Sequence, residues 1–162
     1  AGKTEAIRSL SEINVLSTEA YNTDEQSHSK ALTTVGIDYG EIKLDDGITV
    51  GLYGTPGQDR FDFVWSVICK GAIGAVVLID HSKKTALDDL KFYHNSFKEY
   101  VNNIIVGITH VDEDSQQLLK KYRDWMDLNG YNMPVFAIDA REKDDVLLVV
   151  EALIARAEIE YA

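Results

Sequence analysis

Two uninterrupted apolar runs limit the folds that this chain can adopt. Residues 72–79 read AIGAVVLI, and residues 103–108 form a second run of the same kind. Runs without alternating polar residues are typical of strands that are buried on both faces, as in parallel sheets. Each run is followed by a segment with helical spacing of its apolar residues, 85–100 and 115–128. This alternation predicts an α/β fold with a mostly parallel sheet and helices on both faces.

The rest of the chain completes this pattern. Residues 14–32 are polar and read as a loop, and Asp45-Asp46-Gly47 reads as the turn of one antiparallel edge hairpin. The other predicted elements are helices at 4–12, 61–72 and 144–157 and strands at 35–44, 48–53 and 135–138. Ser115 is the predicted cap of the helix over 115–128. A length of 162 residues suits one domain, 1–162.

Composition excludes several kinds of partner. The chain has 16 basic and 27 acidic residues, a formal net charge of −11. This balance argues against nucleic acid as a partner and against a membrane held by a basic patch. A single cysteine, Cys69, has apolar neighbours and is typical of a packed thiol in a reducing compartment. No apolar run approaches the roughly 18 residues of a membrane helix. We therefore expect a cytoplasmic protein that reaches a membrane only through partners.

The first residues carry a phosphate-binding pattern. Ala1-Gly2-Lys3-Thr4 fits the last half of G-x-x-x-x-G-K-[ST]. In that loop, backbone N–H groups cradle phosphates, the lysine meets the β/γ-phosphates and the threonine hydroxyl binds Mg²⁺. The N-terminus of the following helix adds a favourable dipole. Because such a loop follows a buried strand, we expect the first strand and first half of the loop, roughly 12–20 residues, to precede Ala1.

A second phosphate-sensing pattern follows the predicted strand at 48–53. Residues 54–61 read GTPGQDRF. A Pro-Gly pair at the end of a strand makes a tight turn with a free backbone N–H group. The glutamine directly after this glycine can orient a water molecule. Together these parts predict a sensor for a terminal phosphate.

The ordered motifs resemble those of small Ras-like GTPases, which are P-loop NTPases. Within that family the chain is most similar to the bacterial gliding-motility or polarity type and to the actinobacterial conservon type. The matching segments, in order, are Gly2-Lys3-Thr4 (phosphate loop), 34–38 (first switch), 55–61 (second switch), Thr109-His110-Val111-Asp112 (base recognition) and Asp139-Ala140-Arg141 (a weaker base-loop motif). The resemblance covers essentially the whole chain. It implies GTP or GDP and Mg²⁺ as cofactors.

The resemblance implies roles around the phosphates. Lys3 would balance the phosphate charge and assist catalysis, and Thr34 would bind Mg²⁺ together with Thr4. Thr33 is a rival for the role of Thr34. Gly57 would donate its N–H group to the γ-phosphate, and Gln58 would orient the attacking water.

The resemblance also implies roles around the base. Thr109, His110 and Asp112 form the base-recognition motif. Asp112 would accept hydrogen bonds from the N1–H and 2-amino groups of guanine, and adenine presents the wrong pattern there. The alternative role for Asp112 is to cap the helix that starts near Asp114. His110 stands where the family usually has lysine and would stack on the base less well. Ala140 would offer a backbone N–H group to the base oxygen.

Besides His110, two further features depart from the Ras-like pattern. Gly54 stands where most Ras-like proteins carry the aspartate on the Mg²⁺ side of the second switch. Either the metal binds more weakly, or another acid such as Asp38 or Asp80 substitutes. The separation of Lys3 from Thr34 is longer than usual, so the first switch has extra polar residues.

The sequence therefore predicts a GTP-binding molecular switch that hydrolyses GTP slowly. Switch segments near 14–40 and 54–62 would signal to protein partners, and the bacterial relatives imply small roadblock-type activators. Two alternatives stay open: a nucleotide-binding scaffold that does not hydrolyse, and a P-loop ATPase or kinase-like enzyme.

Overall fold

The computed structural model describes residues 2–21, 34–54, 62–112 and 114–161. The side chains of 17–21, 34–37, 62–64, 160 and 161 lie outside this description. The elements follow in the order α1 (Lys3–Leu10), β1 (Leu16–Tyr21), β2 (Thr34–Lys43), β3 (Thr49–Gly54), α2 (Asp62–Ile68), β4 (Ala75–Asp80), α3 (Ala86–Phe97), β5 (Ile104–Thr109), α4 (Ser115–Leu128), β6 (Val135–Ala137) and α5 (Lys143–Tyr161). The predicted helices and strands are confirmed, with bounds that shift by a few residues.

The strands form two sheets of three. The strands β1, β2 and β3 form an antiparallel sheet in that order, and β4, β5 and β6 form a parallel sheet in that order. Within the described ranges, no strand ladder joins the two sheets. The α/β class and its parallel sheet are confirmed. The antiparallel part is larger than the single edge hairpin that the sequence predicts.

The additional strand is β1, which lies within the predicted loop 14–32. Its backbone pairs with β2 from Leu16 opposite Tyr39 to Tyr21 opposite Thr34. The loop prediction is therefore wrong for residues 16–21. The segment is polar because it is an edge strand of a sheet, where polar residues can face solvent. Because residues 16–21 are mostly polar, their sequence did not indicate a strand.

The hairpin between β2 and β3 turns where the sequence predicts it. Gly47 has a φ of 87°, in the left-handed region that glycine adopts most readily. The N–H group of Gly47 donates to the carbonyl of Leu44 over 2.9 Å, and the N–H of Ile48 donates to Oδ1 of Asp46 over 3.0 Å. These bonds fix the register of β2 against β3.

The parallel sheet is buried on both faces. Every residue of β5 is buried, as its apolar run predicts. One face packs under α2, α3 and α4 through a cluster that includes Trp65, Leu90, Phe97 and Tyr122. The opposite face packs under α5, where Val149 and Leu153 join Ile105 and Ile138. Cys69 is buried in the first cluster, so the predicted packed thiol is confirmed.

The antiparallel sheet is attached to this core by helices. Leu10 of α1 and Ile42 of β2 cluster with Val146 and Val150 of α5. Since Val146 and Val150 lie one turn apart, they form a stripe beside the stripe of Val149 and Leu153. Helix α5 therefore contacts apolar residues of both sheets.

We expect Trp65→Ala to lower the free energy of unfolding by about 3–5 kcal/mol, because it leaves a large cavity in the core. Trp65 is only 1% exposed, and its ring centroid lies 4.7 Å from that of Phe97. Urea unfolding followed by circular dichroism measures this loss. The matched control is Val67→Ala on the same helix, since Val67 is 71% exposed and should change stability by about 0.5 kcal/mol or less. Equal effects of both substitutions would contradict the assigned core.

Candidate nucleotide-binding site

Polar residues gather where the parallel strands end. Asp80 ends β4 and lies opposite Thr109, which ends β5. Asp139 and Ala140 follow β6, whose register places Ala137 opposite Ile108. Carboxyl ends of parallel strands share one edge of a sheet, and ligands of α/β proteins bind at that edge. Residues from three loops therefore lie close enough to form one site.

Gly2 brings the start of α1 to the same edge. It precedes the helix with a φ of 94°, a conformation that side chains other than glycine rarely adopt. A Cβ atom at this position would lie 3.0 Å from the Cβ of Ala140. Glycine is thus required both by its backbone angle and by close packing. The structure places the predicted phosphate loop against the predicted base loop.

Two lysines are close at the N-terminus of α1. The first N–H groups of a helix lack partners within it, which gives this end a partial positive charge. The pKa of the Lys3 ammonium lies below its ordinary value, first because of burial and then because of the positive charge of Lys83. Lys83 lies in the loop after β4. A bound anion would relieve the repulsion between these two cations.

Thr4 contacts an acid of β2. Its hydroxyl donates a hydrogen bond to Oδ2 of Asp38 over 2.7 Å. Asp38 lies directly opposite Gly54 in the ladder between β2 and β3. A Cβ atom added at Gly54 would lie 3.5 Å from the Cβ of Asp38, 3.9 Å from its Oδ2 and 2.7 Å from Cδ1 of Ile7. The carboxylate of Asp38 therefore lies beside the position where an acid at residue 54 would begin.

A cavity of about 440 Å³ opens on this side of α1. Thr4, Arg8 and Asp38 contribute to its wall, together with part of the segment 11–15. The Arg8 guanidinium is already paired with the Glu5 carboxylate over 2.6 Å. None of the lining residues comes from the loops after β5 or β6. The cavity thus lies on the Thr4 and Asp38 side of α1.

Thr109 and His110 end β5 in a constrained arrangement. The buried Thr109 hydroxyl donates to the carbonyl of Ile79 over 3.3 Å and lies 2.9 Å from Nδ1 of His110. His110 has a φ of 61°, and its Nδ1 lies 3.3 Å from Oδ1 of Asp80. The imidazole is therefore held towards β4 by Asp80.

Asp80 is also held by its own loop. Its Oδ1 accepts hydrogen bonds from the hydroxyl and the N–H group of Ser82. These bonds, led by the hydroxyl, lower the pKa of the Asp80 carboxyl, and the charges of His110 and Lys83 lower it further. Asp80 is therefore engaged by Ser82 of its own loop and by His110 at the end of β5.

The position of Asp114 clarifies the role of Asp112. The carboxylate of Asp114 caps α4 by accepting the N–H of Gln116 over 3.0 Å. The predicted cap, Ser115, is wrong by one residue. The carboxylate of Asp114, the residue before Ser115, instead accepts an N–H group of the first helical turn. Asp112 is exposed and is not needed as a cap. In the described residues the role of cap is therefore taken by Asp114, and base recognition by Asp112 stays a prediction.

The loop after β6 is braced by charged hydrogen bonds. Asp139 accepts the backbone N–H of Arg141 over 2.9 Å and two guanidinium bonds over 3.0 and 2.8 Å. These bonds lower the pKa of Asp139 to about 2. The N–H of Asp139 donates to Oδ2 of Asp145 over 2.8 Å. None of these bonds uses the N–H group of Ala140, which remains able to meet a ligand.

The remaining predicted residues are either away from Thr4 or outside the described residues. Thr34 begins β2 opposite Tyr21, four residues from Asp38, which is about 13 Å along a strand. In this arrangement Thr34 does not adjoin Thr4. Gly57, Gln58 and the rival Thr33 lie outside the described residues. In the described part of the chain, no group of three His, Cys, Asp or Glu residues could hold a metal.

Sequence reasoning missed the contribution of the loop after β4. Lys83 acts on Lys3, and Ser82 holds Asp80, yet neither residue belongs to a motif. The available signal was position: a His-Ser-Lys-Lys run directly follows the carboxyl end of a buried strand. That position predicts proximity to a site at this edge.

The fold and the glycine-led helix at the sheet edge define an α/β protein of the P-loop nucleotide-binding class. Comparison with known families supports this class. Residues 7–132 match the family described as conserved hypothetical ATP-binding proteins, and the chain belongs to that family.

Among curated proteins, the chain is similar to Ras-related small proteins of eukaryotes. It is 24% identical to the GTP-binding protein yptV2 of Volvox carteri, over 86% of this chain and 70% of that protein. It is 31% identical to the Ras-related protein Rab-11B of Dictyostelium discoideum, over 68% of this chain and 50% of that protein. It is 28% identical to the Ras-related protein Rab7 of Glycine max, over 70% of this chain and 61% of that protein. The chain thus spans between half and 70% of the length of these relatives.

We expect Lys3→Gln to weaken nucleotide binding. The substitution removes the cation assigned to the phosphates, so the dissociation constant for fluorescent GTP should rise at least about tenfold. The control is Lys91→Gln on the exposed side of α3. Unchanged GTP affinity in Lys3→Gln would contradict the phosphate role.

Proposed function

We propose that this protein is a GTP-binding molecular switch that hydrolyses GTP slowly. The observation that supports this most strongly is the contact of Gly2 with Ala140. The start of α1 and the loop after β6 therefore lie close enough for one nucleotide to reach both. The similarity to Rab and Ypt proteins agrees with this function at the level of the family.

In this proposal each loop binds one part of the nucleotide. Gly2 and Lys3 hold the phosphates at the N-terminus of α1. Asp112 accepts the N1–H and 2-amino groups of guanine, and Ala140 donates its N–H to the base oxygen. Thr109 is buried and positions His110, so its role is to support the base loop rather than to touch the base.

The donor atoms near α1 suit Mg²⁺. The Thr4 hydroxyl and the Asp38 carboxylate are hard oxygen ligands, and Mg²⁺ in nucleotide sites is held by few protein oxygens together with phosphates. When bound, the ion would neutralise charge on the phosphates. Thr34 would join this set only if the first switch rearranges.

The switch action belongs to the segments near 14–40 and 54–62. In the GTP state, Thr34 and the N–H of Gly57 would contact the γ-phosphate, and Gln58 would orient the attacking water. Loss of phosphate would release both segments. By analogy with Ras, intrinsic hydrolysis is expected at roughly 10⁻⁴ to 10⁻³ s⁻¹. Small roadblock-type proteins are the proposed activators.

We propose that one domain performs this function in the cytoplasm, with membrane contact through partners. In the part of the chain that the structure describes, no helix is both long and apolar enough to span a bilayer.

A second candidate is an ATP-dependent activity. The matching family is described as ATP-binding. Adenine has no N1–H and no 2-amino group, so it would leave the Asp112 carboxylate without partners. Competition between GTP and ATP for the purified protein distinguishes the two candidates.

We expect Asp112→Asn to reduce the preference for GTP over ATP by roughly 10- to 100-fold, because an amide cannot accept both guanine donors as a carboxylate does. Competition against fluorescent GTP measures the ratio. The matched control is Asp114→Asn, since an asparagine still caps α4. Equal binding of ATP and GTP to the unmodified protein would overturn the guanine assignment and favour the second candidate.

We expect Gln58→Leu to slow single-turnover phosphate release by at least about tenfold while leaving GTP affinity unchanged, because leucine cannot orient water. The control is Gln117→Leu on the exposed face of α4. Tight GTP binding by the unmodified protein without any phosphate release, even with a roadblock-type protein added, would show a non-hydrolysing scaffold instead.

A further inference from the structure

We propose that His110 binds the nucleotide as a positively charged imidazolium that Asp80 and Asp139 stabilise, so that nucleotide affinity falls as the pH rises and the ring loses its charge. This inference rests on the proposed function and adds regulation by pH to the same site. The Ras-like pattern has a lysine at this position, and an ammonium group keeps its charge at neutral pH. A histidine side chain, in contrast, changes its charge between about pH 5 and 8.

The hydrogen-bond partners of His110 determine which ring nitrogen carries a proton. The Thr109 hydroxyl donates to the carbonyl of Ile79 over 3.3 Å, so its oxygen accepts from Nδ1 of His110, which is 2.9 Å away. Oδ1 of the Asp80 carboxylate lies 3.3 Å from the same nitrogen. Because both neighbours accept, Nδ1 carries a proton in the neutral ring and in the charged ring alike. The charge of the ring is therefore decided at Nε2.

Carboxylates from two loops favour a positive charge on this ring. Hydrogen bonds from Ser82 lower the pKa of the Asp80 carboxyl, burial opposes them in part, and the charge of His110 lowers this pKa further. The pKa of Asp139 is about 2, mainly because of hydrogen bonds from Arg141 and also because of the charge of His110. An attraction between two charges acts on both of them, so each carboxylate stabilises the imidazolium in turn. The side chain of Asp80 is only 15% exposed, so solvent screens its attraction less than at an open surface.

Nearby cations offset part of this negative charge. The Arg141 guanidinium is paired with the Asp139 carboxylate over 2.8 Å. Lys83 also lowers the pKa of Asp80, but its effect is smaller than that of the imidazolium. The loop that carries the ring adds one further exposed acid, Asp112. The imidazolium therefore has Asp80 as its main carboxylate partner.

Part of the His110 ring is accessible to a ligand, because the side chain is 55% exposed. Its backbone φ of 61° is uncommon outside glycine and turns the chain at the end of β5. A cationic ring is attracted to the π face of a purine, which corresponds to an affinity gain on the order of tenfold. Bound phosphates would add to this gain, because they attract Lys3 and Lys83 and so leave the Asp80 carboxylate to the imidazolium.

The first test measures GDP affinity against pH. The dissociation constant for fluorescent GDP is measured from about pH 5.5 to 8.5 for the unmodified protein, His110→Lys, His110→Gln and His94→Gln. Relative to His110→Lys, which keeps its charge, the unmodified protein should lose affinity on the order of tenfold over this range. This comparison cancels the titration of the nucleotide phosphates, which is common to all the proteins. His110→Gln should show no such loss relative to His110→Lys, and the control His94→Gln on α3 should match the unmodified protein.

Asp80 is tested as the residue that positions the ring and stabilises its charge. In Asp80→Asn the amide oxygen can still accept the hydrogen bonds of Ser82, but the negative charge beside the imidazolium is lost. The ring then gives up its proton more easily, so the fall in affinity should move to a lower pH. Asp88→Asn is the control, because Asp88 is an exposed acid in the first turn of α3. A loss of affinity in Asp80→Asn that is equal at every pH would overturn this role of Asp80.

A second measurement needs no substitution. Nuclear magnetic resonance follows the ring signal of His110 in the unmodified protein against pH, with and without GDP. If GDP binds the charged ring about tenfold more tightly than the neutral ring, the midpoint of this titration rises by about one pH unit on binding. The midpoint of His94 should stay the same. An unchanged or lowered midpoint of His110 would overturn the inference.

The outcomes separate this inference from the proposed function. Parallel affinity curves for the unmodified protein and His110→Lys would overturn the role of the charged ring and leave guanine binding intact. Failure of the unmodified protein to bind any guanine nucleotide at every pH would instead refute the proposed function, and the inference with it.

Discussion

The packing of α5 across both sheets is the interaction on which the rest of this structure depends. In the described residues no backbone ladder connects the antiparallel sheet to the parallel one. Val146 and Val150 pack with Leu10 of α1 and Ile42 of β2, while Val149 packs under the parallel sheet. The packing of apolar side chains therefore fixes the position of one sheet relative to the other. The stabilisation from such packing is roughly proportional to the apolar area that is buried and has no preferred direction.

This packing is also what assembles the candidate site. Helix α1 lies against β2, β3 and α5, so its N-terminus is carried to the carboxyl edge of the parallel sheet. There Gly2 meets Ala140, and Lys3 comes near Lys83. On the other side of α1, Thr4 reaches Asp38 of the antiparallel sheet. One short helix thus contacts both the loops that follow the parallel strands and Asp38 of the antiparallel sheet.

The charges of the site follow this division. Lys3 and Lys83 are cations that repel each other at a helix N-terminus, an arrangement that an anionic ligand would stabilise. The acids are distributed around them: Asp38 towards Thr4, and Asp80 towards His110. Although the net charge of the protein is −11, Lys3 and Lys83 therefore form a small positively charged region at the N-terminus of α1. Phosphate binding in that region would require no basic surface elsewhere.

Much of the fold could be predicted from sequence because its signals are local. The continuous apolar run of β5, the Asp-Asp-Gly turn and the helical spacing of α4 each depend on residues close in the chain. Strand β1 was not predicted, because its sequence is polar and, in the described residues, its ladder partner is β2, which lies further along the chain. Ser115 was a plausible cap by residue type, and only the observed Asx turn selected Asp114.

The sequence by itself determined the α/β class, the order of the elements and the candidate residues of the phosphate and base loops. It also offered two acids, Asp38 and Asp80, as equal substitutes at Gly54. Only the tertiary structure showed how the surroundings of these acids differ, since those of Asp38 depend on the register of β2 against β3 and on the approach of α1. Both are contacts between residues distant in the chain, and no local pattern encodes a distance across strands.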